Sequence, residues 1–154
     1  MALVVSTLVT ELRKIFDQQY SGFEGFPPTV NDAASRWAQA INTYAGTNIV
    51  PSSTSAVNAK NSFETILRTL LSNSNGTSII QNAFNTYATV LASGMTGYVS
   101  VPPPSPIDFQ AVFSIGFNGG SSSAVASSMA NVIHTWFKTG IATPIGGGPT
   151  INWS

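Results

Sequence analysis

Residues 117–140 read FNGGSSSAVASSMANVIHTWFKTG, and their reading decides the fold. Val125, Met129, Val132, Ile133 and Trp136 recur at i, i+4, i+7, i+8 and i+11, with Phe137 beside them, which is the apolar stripe of a long helix. Ser121 or Ser122 can cap its start, Lys138 suits the last turn, and Gly140 stops it. The rest of this helix is Ser, Ala and Asn, where a water-facing side normally carries Lys, Glu, Arg and Asp. Its surroundings hold the chain's only histidine, His134. Either the helix frames a catalytic histidine, or its outer side meets something other than water.

Four more helices precede it. Leu8, Leu12, Ile15 and Phe16 mark the first, which ends near Tyr20 ahead of GFEGFPP. Thr29 or Asn31 caps a second with Ala34, Trp37, Ala38, Ile41, Tyr44 and Ala45 inward, closed by Gly46. A third begins around Thr54 and shows Val57, Phe63, Ile66, Leu67, Leu70 and Leu71. SNSNGTS (72–78) reads as a turn, and a fourth helix carries Ile80, Phe84, Tyr87, Ala88 and Leu91 up to Gly94. Pro102, Pro103 and Pro104 then favour an extended strap. Ser105-Pro106-Ile107-Asp108 reads as a helix start, with Ser at the cap, Pro at the first position and an acid in the first turn. The run FQAVFSIGF fits either that helix or a buried strand, and Asn118-Gly-Gly breaks it. Residues 141–154, IATPIGGGPTINWS, read as an extended tail. AINTYAG (40–46) and AFNTYAT (83–89) resemble one another on two different helices. The expected fold is all-α: a compact bundle of five to six helices with long Pro/Gly-rich connections. Residues 1–140 form a single helical domain and 141–154 an extended C-terminal tail.

The chain has 154 residues, 43% of them hydrophobic, enough for one domain with a real core. Only 8% are charged, against an ordinary level of about 25%. All the charged residues but Asp108 and Lys138 lie at or before Arg68. Net charge is zero, which gives no electrostatic basis for a nucleic-acid or anionic-membrane partner. The charge-poor second half is either a polar, uncharged surface or one covered by other subunits, since interface cores lose Lys, Glu and Asp. The second reading is the one expected, with homo-oligomerisation covering the last helix. Without cysteine, disulfides and thiolate metal sites are excluded. No apolar run reaches the ~18 residues of a membrane span. The N-terminal MALVVSTLVTELRK places its positive residues after the apolar run, unlike a signal sequence. Asn75-Gly-Thr and Asn152-Trp-Ser match the glycosylation pattern by chance in a Ser/Thr/Asn-rich chain.

No catalytic constellation emerges. His134 is the one side chain that titrates naturally near neutrality, but a metal needs about three ligands, and Asp17, Asp32 and Asp108 stand apart. Ser123 and His134 on one continuous helix are roughly 16 Å apart, too far for a Ser–His–Asp relay with Asp108; Ser121 and Ser122 fare no better. GGSSSA lacks the nucleophile elbow, and GFNGGSSS is followed by no phosphate-binding Lys. Glu24 and Asp32 flank the FPP loop as solvating and capping groups. No catalytic, cofactor-binding or metal residue is therefore assigned, and no cofactor. Trp153, one residue from the end beyond GGGPT, is a large anchor on a flexible leash. It can clip onto a neighbour or pack back onto its own bundle. Pro102, Pro103, Pro104, Ile151 and Trp153 are the candidate partner-binding residues.

The segment MANVIHTWFKTGIATPIGGGPTINWS, with WAQAINTYA and the PPPSP strap, resembles small structural proteins of tailed bacteriophages. Those share an Ala/Met-rich helix, an aromatic pair with a Thr-Gly stop, and a Gly-containing tail ending near Asn-Trp. The resemblance implies a non-enzymatic part of a virion head, neck or tail, assembled in the host cytoplasm. It also implies that the partners are other copies of the chain and neighbouring virion proteins. The alternative is a small helical enzyme or ligand-binding domain with a pocket near His134, Trp136 and Asp108.

Overall fold

The computed structural model describes residues 2–72 and 76–154. It is mostly helical, with helices α1 (Val5–Phe16), α2 (Val30–Ile41), α3 (Ala56–Arg68), α4 (Gly76–Ser93), α5 (Gln110–Phe117) and α6 (Ser122–Phe137). A small antiparallel sheet, absent from the sequence expectation, joins β1 (Tyr98–Val101), β2 (Ile141–Pro144) and β3 (Ile151–Asn152) in that order. The residues leading into the proline strap and the start of the tail, both expected only to be extended, thus pair with each other. The turn expected over 72–78 falls partly outside the described residues, and Gly76 onward is already helical.

Local chemistry accounts for most of the helix ends. Thr29 Oγ1 accepts from the Asp32 N–H at the start of α2 (3.1 Å), and Ser121 Oγ accepts from Ala124 N–H at the start of α6 (3.1 Å). At α5 the sequence expectation is corrected. The helix begins at Gln110, not at Pro106, because the Asp108 carboxylate takes the Gln110 N–H (2.9 Å) and Ser105 turns its carbonyl to the Trp136 indole (2.7 Å). The run left open between helix and strand is helical.

Leu8, Leu12 and Ile15 of α1, Ala34, Ala38 and Ile41 of α2, and Ala59, Phe63 and Leu67 of α3 face one core with α4 and α6. Two of the expected stripes are rotated. Val57 is 66% exposed while Ala59 is buried in its place. On α6, Ala126, Ala130 and Phe137 are buried and Val125 and Val132 only half so. Small side chains let neighbouring backbones approach closely.

The two similar segments meet a common ring. Tyr44 and Tyr87, at equivalent positions of AINTYAG and AFNTYAT, each stand edge-on to Phe137 at 6.0 Å. α2 passes into a wider helical turn, Asn42–Gly46, which carries Tyr44. A Cβ on Gly46 would lie 2.1 Å from the Asn42 amide oxygen and 3.1 Å from the Tyr87 hydroxyl, so this stop is set by space rather than by a left-handed backbone. Phe63 continues the aromatic layer against Phe84 at 5.0 Å.

Candidate functional site

The tail is clamped, residue by residue. Trp153 is fully buried; its N–H donates to the Gly140 carbonyl (2.9 Å) and its indole Nε1–H to Ser100 Oγ (3.0 Å) and the Ile141 carbonyl (3.2 Å). A Cβ on Gly140 would sit 2.4 Å from the indole, so only glycine leaves room for that ring. Ser154 and Val50 exchange backbone hydrogen bonds of 3.1 and 2.7 Å, and the Asn152 amide donates to the Lys138 carbonyl (3.0 Å). The expectation that Trp153 binds a partner is therefore corrected: the indole finds its large apolar contact and its hydrogen-bond acceptors within its own chain. Ile151 is half-buried against the core, Pro103 is buried, Pro102 is half-buried, and Pro104 alone of the five is exposed. The three prolines follow β1 directly, where their missing N–H groups limit pairing along the edge of the sheet.

Exposed apolar surface concentrates elsewhere on this same sheet. Register pairs Val99 with Thr143 and Val101 with Ile141, and cross-strand partners share a face. Val99, Val101 and Ile141 are all exposed there, Val99 to 62%, and Ile145 follows at the hairpin tip, 69% exposed. The opposite face carries Ser100 and Ala142 inward, Ala142 fully buried. Two residues upstream of β2, the outer side of α6 opens into a shallow hollow of about 450 Å³, lined by Ser128, Asn131, Val132, Thr135, Trp136 and Thr139. None of β1, β2, β3, α4, α5 or α6 contains Asp, Glu, Lys or Arg.

The surface-forming property was hidden in YVSV. Its period-two alternation signals a strand with one face of Val, but the prolines that follow favour the polyproline reading.

Several hydroxyls of α4–α6 are turned back on their own helices. Thr89 Oγ1 donates to the Asn85 carbonyl (2.8 Å), Ser127 Oγ to Ser123 (2.9 Å), Ser114 Oγ to Gln110 (3.1 Å) and Ser93 Oγ to Val90 (2.7 Å). At the α6 hollow itself Thr139 Oγ1 donates to the Trp136 carbonyl (2.7 Å).

The residues weighed for catalysis have separate partners. His134 Nδ1 lies 2.7 Å from the Tyr44 hydroxyl. Burial pushes that phenol well above its ordinary range, so it stays neutral, and His134 Nδ1 is engaged with it in either tautomer. Burial, and secondarily the Lys138 ammonium, hold His134 below its ordinary 6.5. Ser122 Oγ donates to the Asp17 carboxylate (2.8 Å), and the Asp108 carboxylate is engaged with Gln110 N–H. Of His134, Trp136 and Asp108, the residues of the alternative expectation, only Trp136 lines the α6 hollow. Among the described residues, no three His, Cys, Asp or Glu side chains gather where a metal could be held.

Asp17 is a polar pin that sequence reading left as an isolated acid. It is 1% exposed and joins the end of α1 to the start of α6 through Ser122, with Arg13 Nε at 2.7 Å and Gln19 N–H at 3.2 Å. The Arg13 guanidinium, then the Ser122 hydroxyl, hold its carboxyl below the usual carboxylate value.

Among the described residues no helix is long and apolar enough to cross a membrane. Comparison with protein-family models, with curated proteins and with solved structures gives no match.

Proposed function

We propose that this chain is a non-enzymatic structural subunit of a phage virion, in the head, neck or tail. It assembles with copies of itself and neighbouring virion proteins through the uncharged side made by the sheet and α6. The observation that carries this is a cluster: among the described residues, four of the eight exposed large apolar side chains, Val99, Val101, Ile141 and Ile145, share the sheet and its hairpin tip, which hold no charged residue, while Val4, Phe26, Val57 and Phe113 lie elsewhere. A contiguous exposed apolar patch bordered by polar groups marks an interaction surface, and depletion of charge is the compositional mark of interface cores. The resemblance of residues 129–154 to tailed-phage structural proteins supplies the setting. Zero net charge argues for protein neighbours rather than nucleic acid or membrane.

The tail packs on its own body through Trp153, so the proposed contacts to neighbours are made by faces. Stable contacts of this kind cover roughly 800 Å² on each partner. Quantitative mass spectrometry of purified particles tests the setting. The chain is expected in fixed copy number, cross-linked to neighbours through residues 99–101, 128–139 and 141–145. Its absence from particles, or cross-links confined to α1–α3, contradicts the proposal.

A further inference from the structure

A second feature, independent of the assembly face, lies where α2–α6 converge. There the structure leaves a cavity of about 200 Å³, to which each of these five helices contributes. Ala34 and Trp37 of α2, Leu67 of α3, Phe84 of α4, Phe113 of α5 and Met129 of α6 are among its walls, and among the described residues the lining side chains are aliphatic, aromatic or, at Met129, a thioether. Phe113 is partly exposed at the rim, so the space communicates with solvent.

Protein interiors seldom leave voids larger than a water molecule. Water is a poor tenant here: a buried water needs two to four polar partners, and the described walls are almost wholly apolar. An apolar cavity of roughly 150 Å³ is already enough to take up benzene and stay dry otherwise. The described lining has no charged group to hold a carboxylate, an amine or a phosphate inside. Space is also kept by Ala33 and Ala34, neighbours on α2 that both line the cavity and where any larger apolar residue would fill it.

We infer that this cavity is a binding site for a small, uncharged apolar molecule, a single aromatic ring with a short alkyl substituent or an alkyl chain of similar bulk. Recognition is by volume and by contact with Trp37, Phe84 and Phe113, without an orienting hydrogen bond. The site therefore discriminates by size and rejects polar analogues of the same shape.

Toluene is the probe, followed by calorimetric titration and thermal unfolding of the full chain. Wild type is expected to take up one equivalent with a negative heat-capacity change, the mark of buried apolar surface, and to unfold at a higher temperature when toluene is saturating. Benzyl alcohol and benzoate, which add polar groups to the ring, are expected to bind at least roughly tenfold more weakly. Ala34→Leu, and Ala33→Leu as a second filling variant, are expected to keep the helical circular dichroism signal and lose the toluene response. The inference is overturned if toluene leaves wild type unchanged. It is equally overturned if a folded filling variant responds as wild type does, since the guest would then be elsewhere on the protein.

Discussion

Helices α1–α3 carry Glu11, Arg13, Lys14, Asp32, Arg36, Lys60, Glu64 and Arg68, whereas α4–α6 and the three strands carry no Asp, Glu, Lys or Arg at all. Both regions bury a continuous share of one core, so the difference lies in how each meets its surroundings. On the charged side, each ion pair stays within one helix or its end, Glu11 with Lys14 and Arg13 with Asp17 at α1, and Glu64 with Arg68 on α3. The partly exposed pairs Glu11–Lys14 and Glu64–Arg68 contribute only ~0.3–0.5 kcal/mol each, and their main effect is to keep the surface hydrated. On the uncharged side, hydroxyls bond to carbonyls one turn back, and Val side chains stand in the open. Composition alone overstates how wet the second half is, since some of its Ser and Thr groups, Thr89, Ser93, Ser114 and Ser127 among them, already donate to backbone carbonyls.

The uncharged region depends on its tail, so the largest effect is expected there. Trp153→Ala removes a fully buried indole and should cost about 3–5 kcal/mol in urea unfolding, with folding retained only if the rest of the core compensates. Next in size is Gly140→Ala, whose Cβ must displace the same ring; about 1–3 kcal/mol is expected, largely abolished in the background of Trp153→Ala. That loss of additivity is what distinguishes a clash with Trp153 from a general backbone effect.

Acid should destabilise the two regions in separate windows. His134 has a folded pKa below 6.5, so the unfolded chain binds the proton more readily. Its contribution is complete above 6.5 and declines as pH falls from there towards the lowered folded value. Asp17 is depressed below 3.8, so its contribution is present above that value and is lost as pH falls through the folded pKa. Thermal unfolding against pH should show both declines; His134→Gln should remove the first and Asp17→Asn the second. A single decline in wild type unaffected by either substitution contradicts these assignments.

The smallest stability effect sharpens the comparison most. Val57→Lys on α3 and Val99→Lys on β1 replace two side chains of nearly equal exposure, and each should change stability by no more than about 0.5 kcal/mol. A larger loss at either site in urea unfolding of the isolated chain would mean that its side chain packs within the molecule.

Much of the helical architecture was legible because apolar residues recur with helical spacing over long segments, as in Leu8–Leu12–Ile15, and because Thr29 and Ser121 cap where capping residues should. Val57 misled because a pattern of large apolar residues does not register the alanines, here Ala59, that let helices touch. The sheet was not legible. β1 is four residues long, bounded by glycine and proline, and its partner strand begins some forty positions beyond it at Ile141, a pairing no local signal encodes. Trp153 shows the same limit: its size predicts an anchor, but which surface it anchors to depends on the Gly140 space that only folding creates.

Light scattering coupled to size-exclusion chromatography, on wild type, the Val99→Lys/Ile141→Lys double variant and the Val57→Lys control, tests most directly whether the uncharged side is where subunits meet. The account predicts a defined oligomer for wild type and for Val57→Lys, and a folded monomer for the double variant. A wild type that stays monomeric at high concentration, or an oligomer that Val57→Lys disrupts and the sheet variant does not, contradicts it.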